Sequence, residues 1–287
     1  MPRPPAGDPS GLGTAGRRAG GGVRAWVEHI MGTAVSIAVW TGDHSGAGDT
    51  GTTGGAGPGG RAGQGAGQAV EEAFAALRRA DGLFSPFRPD SQISRLRDGR
   101  TCLDRCHPDV REVLALCEDL RRSTGGYFDA HAAGPGLLDP CGVVKGWATE
   151  RASDGLSRAG ARAHYVSAGG DVRLRGQPAR DRLWRVGIAD PHRPGSLLAT
   201  VEGSDLAVAT SGTAERGAHV LDPRRGVPAR RLASVTVIGP SLTLADAYAT
   251  AAVAMGGLAL PWLSELEGYE ALLVDADGGV RWTPGFP

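Results

Sequence analysis

Asp246 and Thr250 sit four residues apart in Thr243-Leu244-Ala245-Asp246-Ala247-Tyr248-Ala249-Thr250. On a helix that spacing stacks both side chains on one face, one turn apart. Their surroundings are small and apolar (Ala249, Ala252, Val253), a costly place for a carboxylate unless something compensates it. A carboxylate and a hydroxyl can offer two hard oxygens to Mg²⁺, which commonly completes its shell with substrate phosphates. The plainer alternative is an Asp favoured by the helix N-terminus and a Thr bonded back to a carbonyl. A second pointer is Lys145, the only lysine among 31 basic side chains. It follows the turn Asp139-Pro140-Cys141-Gly142 and opens a helix carrying Val143, Val144, Trp147, Ala148, Ala152 and Leu156 at helical spacing. A cation in a first helical turn opposes the dipole unless an anion joins it, most simply a phosphate on the free N–H groups. A lysine whose stem covers apolar surface, with its charge in water, is the other reading.

Two further groups belong to this chemistry. Ala209-Thr210-Ser211-Gly212-Thr213 ends a strand with hydroxyls and a glycine, suited to a phosphate or a sugar edge. His219 precedes the turn Asp222-Pro223-Arg224-Arg225-Gly226 and is a candidate general base, or a structural histidine. Ser211, His219 and Asp222 do not make a hydrolase triad without a G-x-S-x-G elbow, and Lys145 lies in no phosphate-binding G-x-x-x-x-G-K-[ST] loop. Cys102, Cys106 and His107 lack a second ligand pair at zinc-finger spacing, so the four cysteines read as reduced thiols. The G-x-G-x-x-G at Gly55–Gly60 falls in a glycine tract with no strand before it.

The elements that must position these residues are legible in the periodicity. Helices are expected over Val70–Leu83, Ser91–Leu96, Pro108–Ser123 and Ser241–Met255, besides the Lys145 helix. Strands are expected at Val23–Ile30 and Thr33–Val39, broken by Met31-Gly32, and then at 163–168, 172–176, 184–188, 198–202, 207–210, 233–238, 271–274 and 280–282. Helices early, strands late and one helix after them make an α+β order with no βαβ repeat. Residues 1–22 read as a disordered Pro/Gly/Arg-rich tail, 23–287 as a single domain, and 42–68 as a flexible glycine-rich insertion within it.

The formal net charge is zero and the paired arginines are scattered, so a nucleic acid is not an expected partner. No apolar signal core follows Arg17-Arg18, no lipid-attachment cysteine is seen, and no run is read as membrane-spanning, so a cytoplasmic chain with no membrane insertion is expected.

Taken in order and spacing, Met31-Gly32-Thr33, Phe84 to Ser91, Gly126 to Asp129, Asp139 to Ala148, Ser167 to Asp171, Thr210-Ser211-Gly212, His219 to Gly226 and Ala245 to Thr250 resemble the ApbE-type FAD:protein FMN transferases. The resemblance implies an ApbE-like fold, with helices packed on an antiparallel or mixed sheet in two tightly packed lobes. It implies FAD as substrate, Mg²⁺ as cofactor, and transfer of FMN through a phosphoester bond onto a Ser or Thr of an acceptor flavoprotein, with release of AMP. The acceptor site would resemble D-x-x-[ST]-G-A-[ST]. Matched by position, Met31, Ser85, Phe87, Tyr127, Phe128, Asp129, Asp139, Lys145, Ser211 and Leu221 would contact FAD. The Gly142 carbonyl, Asp246 and Thr250 would hold the metal, and His219, Asp246 and Lys145 would carry catalysis. The segment between Asp129 and Asp139 is short for this family. A metal-dependent FAD pyrophosphatase and a non-catalytic FAD-binding protein share the same ligands and stand as rivals.

Overall fold

The computed structural model describes residues 17–19, 22–42, 59–134, 136–179, 182–212 and 220–287. In chain order these form β1 (Arg17–Ala19), β2 (Val23–Ile30), β3 (Thr33–Trp40), α1 (Gly59–Phe84), α2 (Gln92–Arg97), α3 (Pro108–Ser123) and α4 (Cys141–Arg158). Then come β4 (His164–Ala168), β5 (Asp171–Arg175), β6 (Trp184–Ala189), β7 (Leu197–Gly203), β8 (Ala207–Gly212), β9 (Leu221–Asp222) and β10 (Val227–Pro228). The chain closes with β11 (Leu232–Gly239), α5 (Leu242–Met255), α6 (Ala259–Leu263), β12 (Glu270–Asp275) and β13 (Val280–Trp282).

Nine strands form one sheet in the order β1-β2-β3-β4-β5-β8-β11-β12-β13, and every pairing in it is antiparallel. Alternation sorts its side chains. Val35, Ile37, Ala209, Val235, Val237 and Leu273 face the helices in the main core. Val208, Leu272 and Val274 face the other way, where Ile188 and Val201 of the β6–β7 hairpin cover them. The N-terminal and C-terminal halves of the sheet meet at β5–β8, a ladder only two residue pairs long.

The local rules explain most boundaries. Ser91 caps α2 by accepting from the Ser94 N–H at 3.0 Å. Pro108 opens α3, whose cap is His107, and the positive φ of Gly125 and Gly126 takes the chain out of it. Three boundaries differ from the sequence pattern. Arg17–Ala19, within the expected tail, pair with β2 as a strand. α1 starts at Gly59, inside the expected 42–68 insertion, because the helix runs on ahead of its apolar stripe; residues 43–58 lie outside the described residues. α4 starts at Cys141, with Pro140 at the cap position and the Cys141 N–H bonded to the Asp139 carboxylate at 2.9 Å in the turn before it. Lys145 therefore stands one residue beyond the first turn, where the dipole is already weaker.

The main face of the sheet is closed by α4 and α5. α5 is lined with alanines (Ala245, Ala247, Ala249, Ala251, Ala252), all inaccessible to solvent, which let it lie close to β8 and β11. Leu242–Leu263, spanning α5 to α6, is 22 residues long with a mean hydropathy of 1.3, which meets the length and composition of a membrane span. The sequence reading found no such run; here 67 % of its apolar window is buried inside the protein, as a core helix requires. α4 crosses α5 at Gly146, where a Cβ would lie 2.6 Å from the Leu242 carbonyl oxygen and 2.8 Å from Asp246 Cβ. Gly146→Ala should therefore push the two helices apart and cost about 1–3 kcal/mol, read as a lower midpoint in urea unfolding. An unchanged midpoint would show that the crossing is slack.

Candidate active site

Between the helix layer and the loops above it lies a cavity of about 800 Å³, within the usual range for small-molecule sites. Loops and element ends from six places in the chain converge on it. Met31 comes from the β2–β3 turn and carries a φ of 53°, the only positive value at a non-glycine among the described residues. A two-residue turn between right-twisted antiparallel strands wants two positive φ values, usually filled by Asn-Gly or Asp-Gly. A methionine held there trades backbone comfort for a side chain in the cavity wall.

Ser85 and Phe87 line the cavity from the loop after α1, and Phe87 is 90 % exposed at its rim. Tyr127, Phe128 and Asp129 follow α3; the Thr124 hydroxyl fixes this loop by accepting the Phe128 N–H at 2.9 Å. The short segment after Asp129 still supplies wall, through Ala130, Ala132 and Ala133. Asp139, Cys141, Gly142 and Lys145 come from the start of α4, Ser211 from the end of β8, and Leu221 and Pro223 from the β9–β10 hairpin. The Arg224 guanidinium lies over the Tyr127 ring at 5.0 Å, tying that hairpin to the aromatic wall.

Polar groups gather at the α4–α5 crossing. Asp246 is 2 % exposed. Its Oδ2 accepts the Gly146 N–H at 2.8 Å, a donor that in a regular helix would serve the Gly142 carbonyl. The Thr250 hydroxyl is 3.1 Å from that of Ser211, and a Cβ on Gly142 would meet Thr250 and Phe128 at 3.2 and 3.1 Å. Lys145 Nζ is 2.8 Å from Asp171 Oδ2 and 3.7 Å from Asp246 Oδ1. The counter-charge that its helix position asks for thus comes from two carboxylates of the chain itself. Burial drives the Asp246 carboxyl above its ordinary range; Lys145 pulls it back and Asp171 adds to the rise. The Gly142 carbonyl, Asp246 carboxylate and Thr250 hydroxyl are all hard oxygens, the donor chemistry of Mg²⁺. Asp246 is their one carboxylate, and among the described residues no group of three His, Cys, Asp or Glu side chains could hold a metal.

All the cofactor- and metal-contact residues expected from sequence line this cavity. His219 lies outside the described residues. Two residues of the assembly were missed. Asp171 follows the turn at Gly169-Gly170, whose φ values of 56° and 90° favour glycine; it falls at the end of the Ser167–Asp171 motif, but nothing local marks its carboxylate as a partner of Lys145. Glu150 on α4 caps α5, accepting from the Ser241 and Thr243 hydroxyls at 2.7 and 2.6 Å and from the Leu242 and Thr243 N–H groups.

The geometry agrees with comparison to known proteins. The α+β architecture is that of solved flavin transferases. It superposes on the flavin transferase ApbE from Vibrio cholerae with a TM-score of 0.74, covering 92 % of this chain and 98 % of that one at 21 % identity. For the ApbE protein of Thermotoga maritima the TM-score is 0.75, with 91 % and 97 % covered, again at 21 % identity. The chain belongs to the ApbE family, whose model matches residues 31–136 and 130–273. It is 30 % identical over 226 residues to an FAD:protein FMN transferase of Rhodobacter capsulatus, covering 72 % of this chain and 42 % of that protein. With that of Treponema pallidum it shares 32 % over 206 residues, 62 % of this chain and 57 % of the relative. The chain spans about half the length of the curated relatives it matches.

The Glu150 cap has a measurable pH signature. Burial raises its carboxyl, but the bonds from Thr243 and Ser241 and the charge of Arg173 outweigh this, so its pKa is lowered. A carboxylate depressed on folding contributes stability above its unfolded pKa and loses it as pH falls through the folded value. Glu150→Gln should lower the urea midpoint at neutral pH, by about 1–3 kcal/mol of stability, with the gap to wild type closing below the ordinary glutamate range. A gap independent of pH would leave the cap uncharged.

Proposed function

We propose that this protein transfers the FMN half of FAD to a Ser or Thr hydroxyl of an acceptor protein, releasing AMP. The observation that carries the reading is the join of an aromatic cavity wall to a set of hard oxygens, the buried Asp246 carboxylate among them, beside an ammonium, in a family whose curated relatives are named FAD:protein FMN transferases. Tyr127, Phe128 and Phe87 offer flat apolar contact for a ring system. Ser211 and Lys145 offer a hydroxyl and an ammonium for a pyrophosphate. The Gly142 carbonyl, Asp246 and Thr250 would hold Mg²⁺, which when bound supplies neutralisation of the pyrophosphate charge.

In the transfer, the acceptor hydroxyl oxygen bonds to the phosphorus on the FMN side. The bond from that phosphorus to the bridging oxygen breaks, and the oxygen leaves with AMP. His219 takes the hydroxyl proton. The cavity residues contribute by alignment and charge, the larger part of catalysis in phosphoryl transfer. An acceptor with a D-x-x-[ST]-G-A-[ST]-like site is the expected partner, and a cytoplasmic location remains part of the proposal.

The test mixes the protein with FAD, Mg²⁺ and a small domain bearing that acceptor site. Flavin fluorescence should survive denaturing electrophoresis, with AMP release that requires the acceptor. Equal AMP release without acceptor would make the protein an FAD pyrophosphatase, and binding without turnover a flavin carrier. Asp246→Ala should abolish metal-dependent turnover while circular dichroism shows the fold retained; full activity would remove Asp246 from the site.

His219→Ala should lower kcat with little change in FAD affinity, as expected of a group acting mainly in the transition state. Equal loss in both would make His219 a binding or structural residue.

A further inference from the structure

Asp171 has no part in the transfer as drawn, yet it stands nearer the lone lysine than Asp246 does. Its side chain is fully buried and held from two sides. Oδ1 accepts the Thr210 N–H at 3.0 Å, carrying the β5–β8 connection past the point where backbone pairing stops. Oδ2 faces Lys145 Nζ at 2.8 Å. The same ammonium stands 3.7 Å from Asp246 Oδ1, outside hydrogen-bond reach. Asp246 Oδ2 accepts the Gly146 N–H, and Oδ1 is the oxygen that faces the ammonium. A lysine on a flexible stem beside a buried carboxylate would ordinarily close on it, since a charge-assisted N–H···O bond optimises near 2.7–2.9 Å, about an ångström shorter than the present separation.

We propose that Asp171 is a positioning residue that holds the Lys145 ammonium away from Asp246 Oδ1 and so keeps that oxygen open to a divalent cation. The inference rests on the reading of Gly142, Asp246 and Thr250 as the cation site. Asp171 acts through Lys145: with its carboxylate neutralised, the ammonium moves onto Asp246 and competes with the metal for one oxygen.

Binding of Mn²⁺ alone to the full chain, followed by the loss of the free-ion paramagnetic resonance signal, tests this without turnover. Asp171→Asn keeps an acceptor for the Thr210 N–H and should weaken Mn²⁺ binding by about tenfold or more. On a Lys145→Met background, where no competitor remains, the same substitution should change binding by less than about threefold. Lys145→Met alone should bind Mn²⁺ at least as tightly as wild type, a measurement that stands even if Asp171→Asn fails to fold. Wild-type binding in folded Asp171→Asn overturns the inference. So does an undiminished loss on the Lys145→Met background, which would make Asp171 a source of charge only, and so does weaker binding in Lys145→Met. Asp246→Ala separates the two levels. If it still binds Mn²⁺ as wild type does, the cation reading itself fails and takes the inference with it; if it loses binding, the other variants judge Asp171 alone.

Discussion

A carboxylate at the crossing of two buried helices is the constraint around which the rest is arranged. Asp246 sits in an apolar layer where an ion costs several kcal/mol unless neighbours satisfy it. Two neighbours on α4 serve that end, against the like charge of Asp171. Gly146 removes a side chain so that α4 can approach, and its N–H then reaches Asp246 Oδ2. Lys145, one residue earlier on the same helix, brings the opposite charge. A bulkier residue at 146 would separate the helices and strand the carboxylate together. Packing and electrostatics here are one requirement.

That requirement reaches outward through single side chains. Glu150, one helical turn beyond Gly146 on α4, gathers the free N–H groups at the start of α5 and so fixes the height at which Asp246 and Thr250 stand. Asp171 ties the lysine to β8, where Ser211 meets Thr250. The two halves of the sheet share only a two-pair ladder at β5–β8, so this polar cluster also bridges a narrow seam in the backbone bonding.

Most of the architecture was open to a reader of the sequence, because periodicity records burial. The strands alternate or are β-branched, the helices carry apolar stripes, and Ser91, Pro108 and Gly125 mark ends by mechanisms that act within a few residues. The cavity-lining residues were reachable too, but only as an ordered set; Phe87 or Asp139 alone carries no signal. What escaped has more than one cause. The strand Arg17–Ala19 owes its existence to pairing with β2, and the pairing of Lys145 with Asp171 spans two elements. A sequence shows a residue's type and near neighbours, whereas partners across a fold leave no local trace. The early start of α4 is subtler: Asp139 makes the turn its type suggests, accepting the N–H two residues on, and the helix begins inside that turn at Cys141 rather than after it.

The alanine face of α5 has a consequence for how the chain comes to be folded. α5 is the piece that closes the core over β8, β11 and α4, and all three precede it in the chain. Until residues 242–255 leave the ribosome, the nascent chain holds a half-built layer with its apolar side open to water. Together with α6 the closing element is greasy enough to be mistaken for a membrane segment, and it must find that opening before anything else binds it. Its alanines suit the task, since they leave almost no side-chain freedom to be lost on docking. Dependence on chaperones during synthesis would therefore concentrate on the interval between the emergence of β11 and the docking of α5.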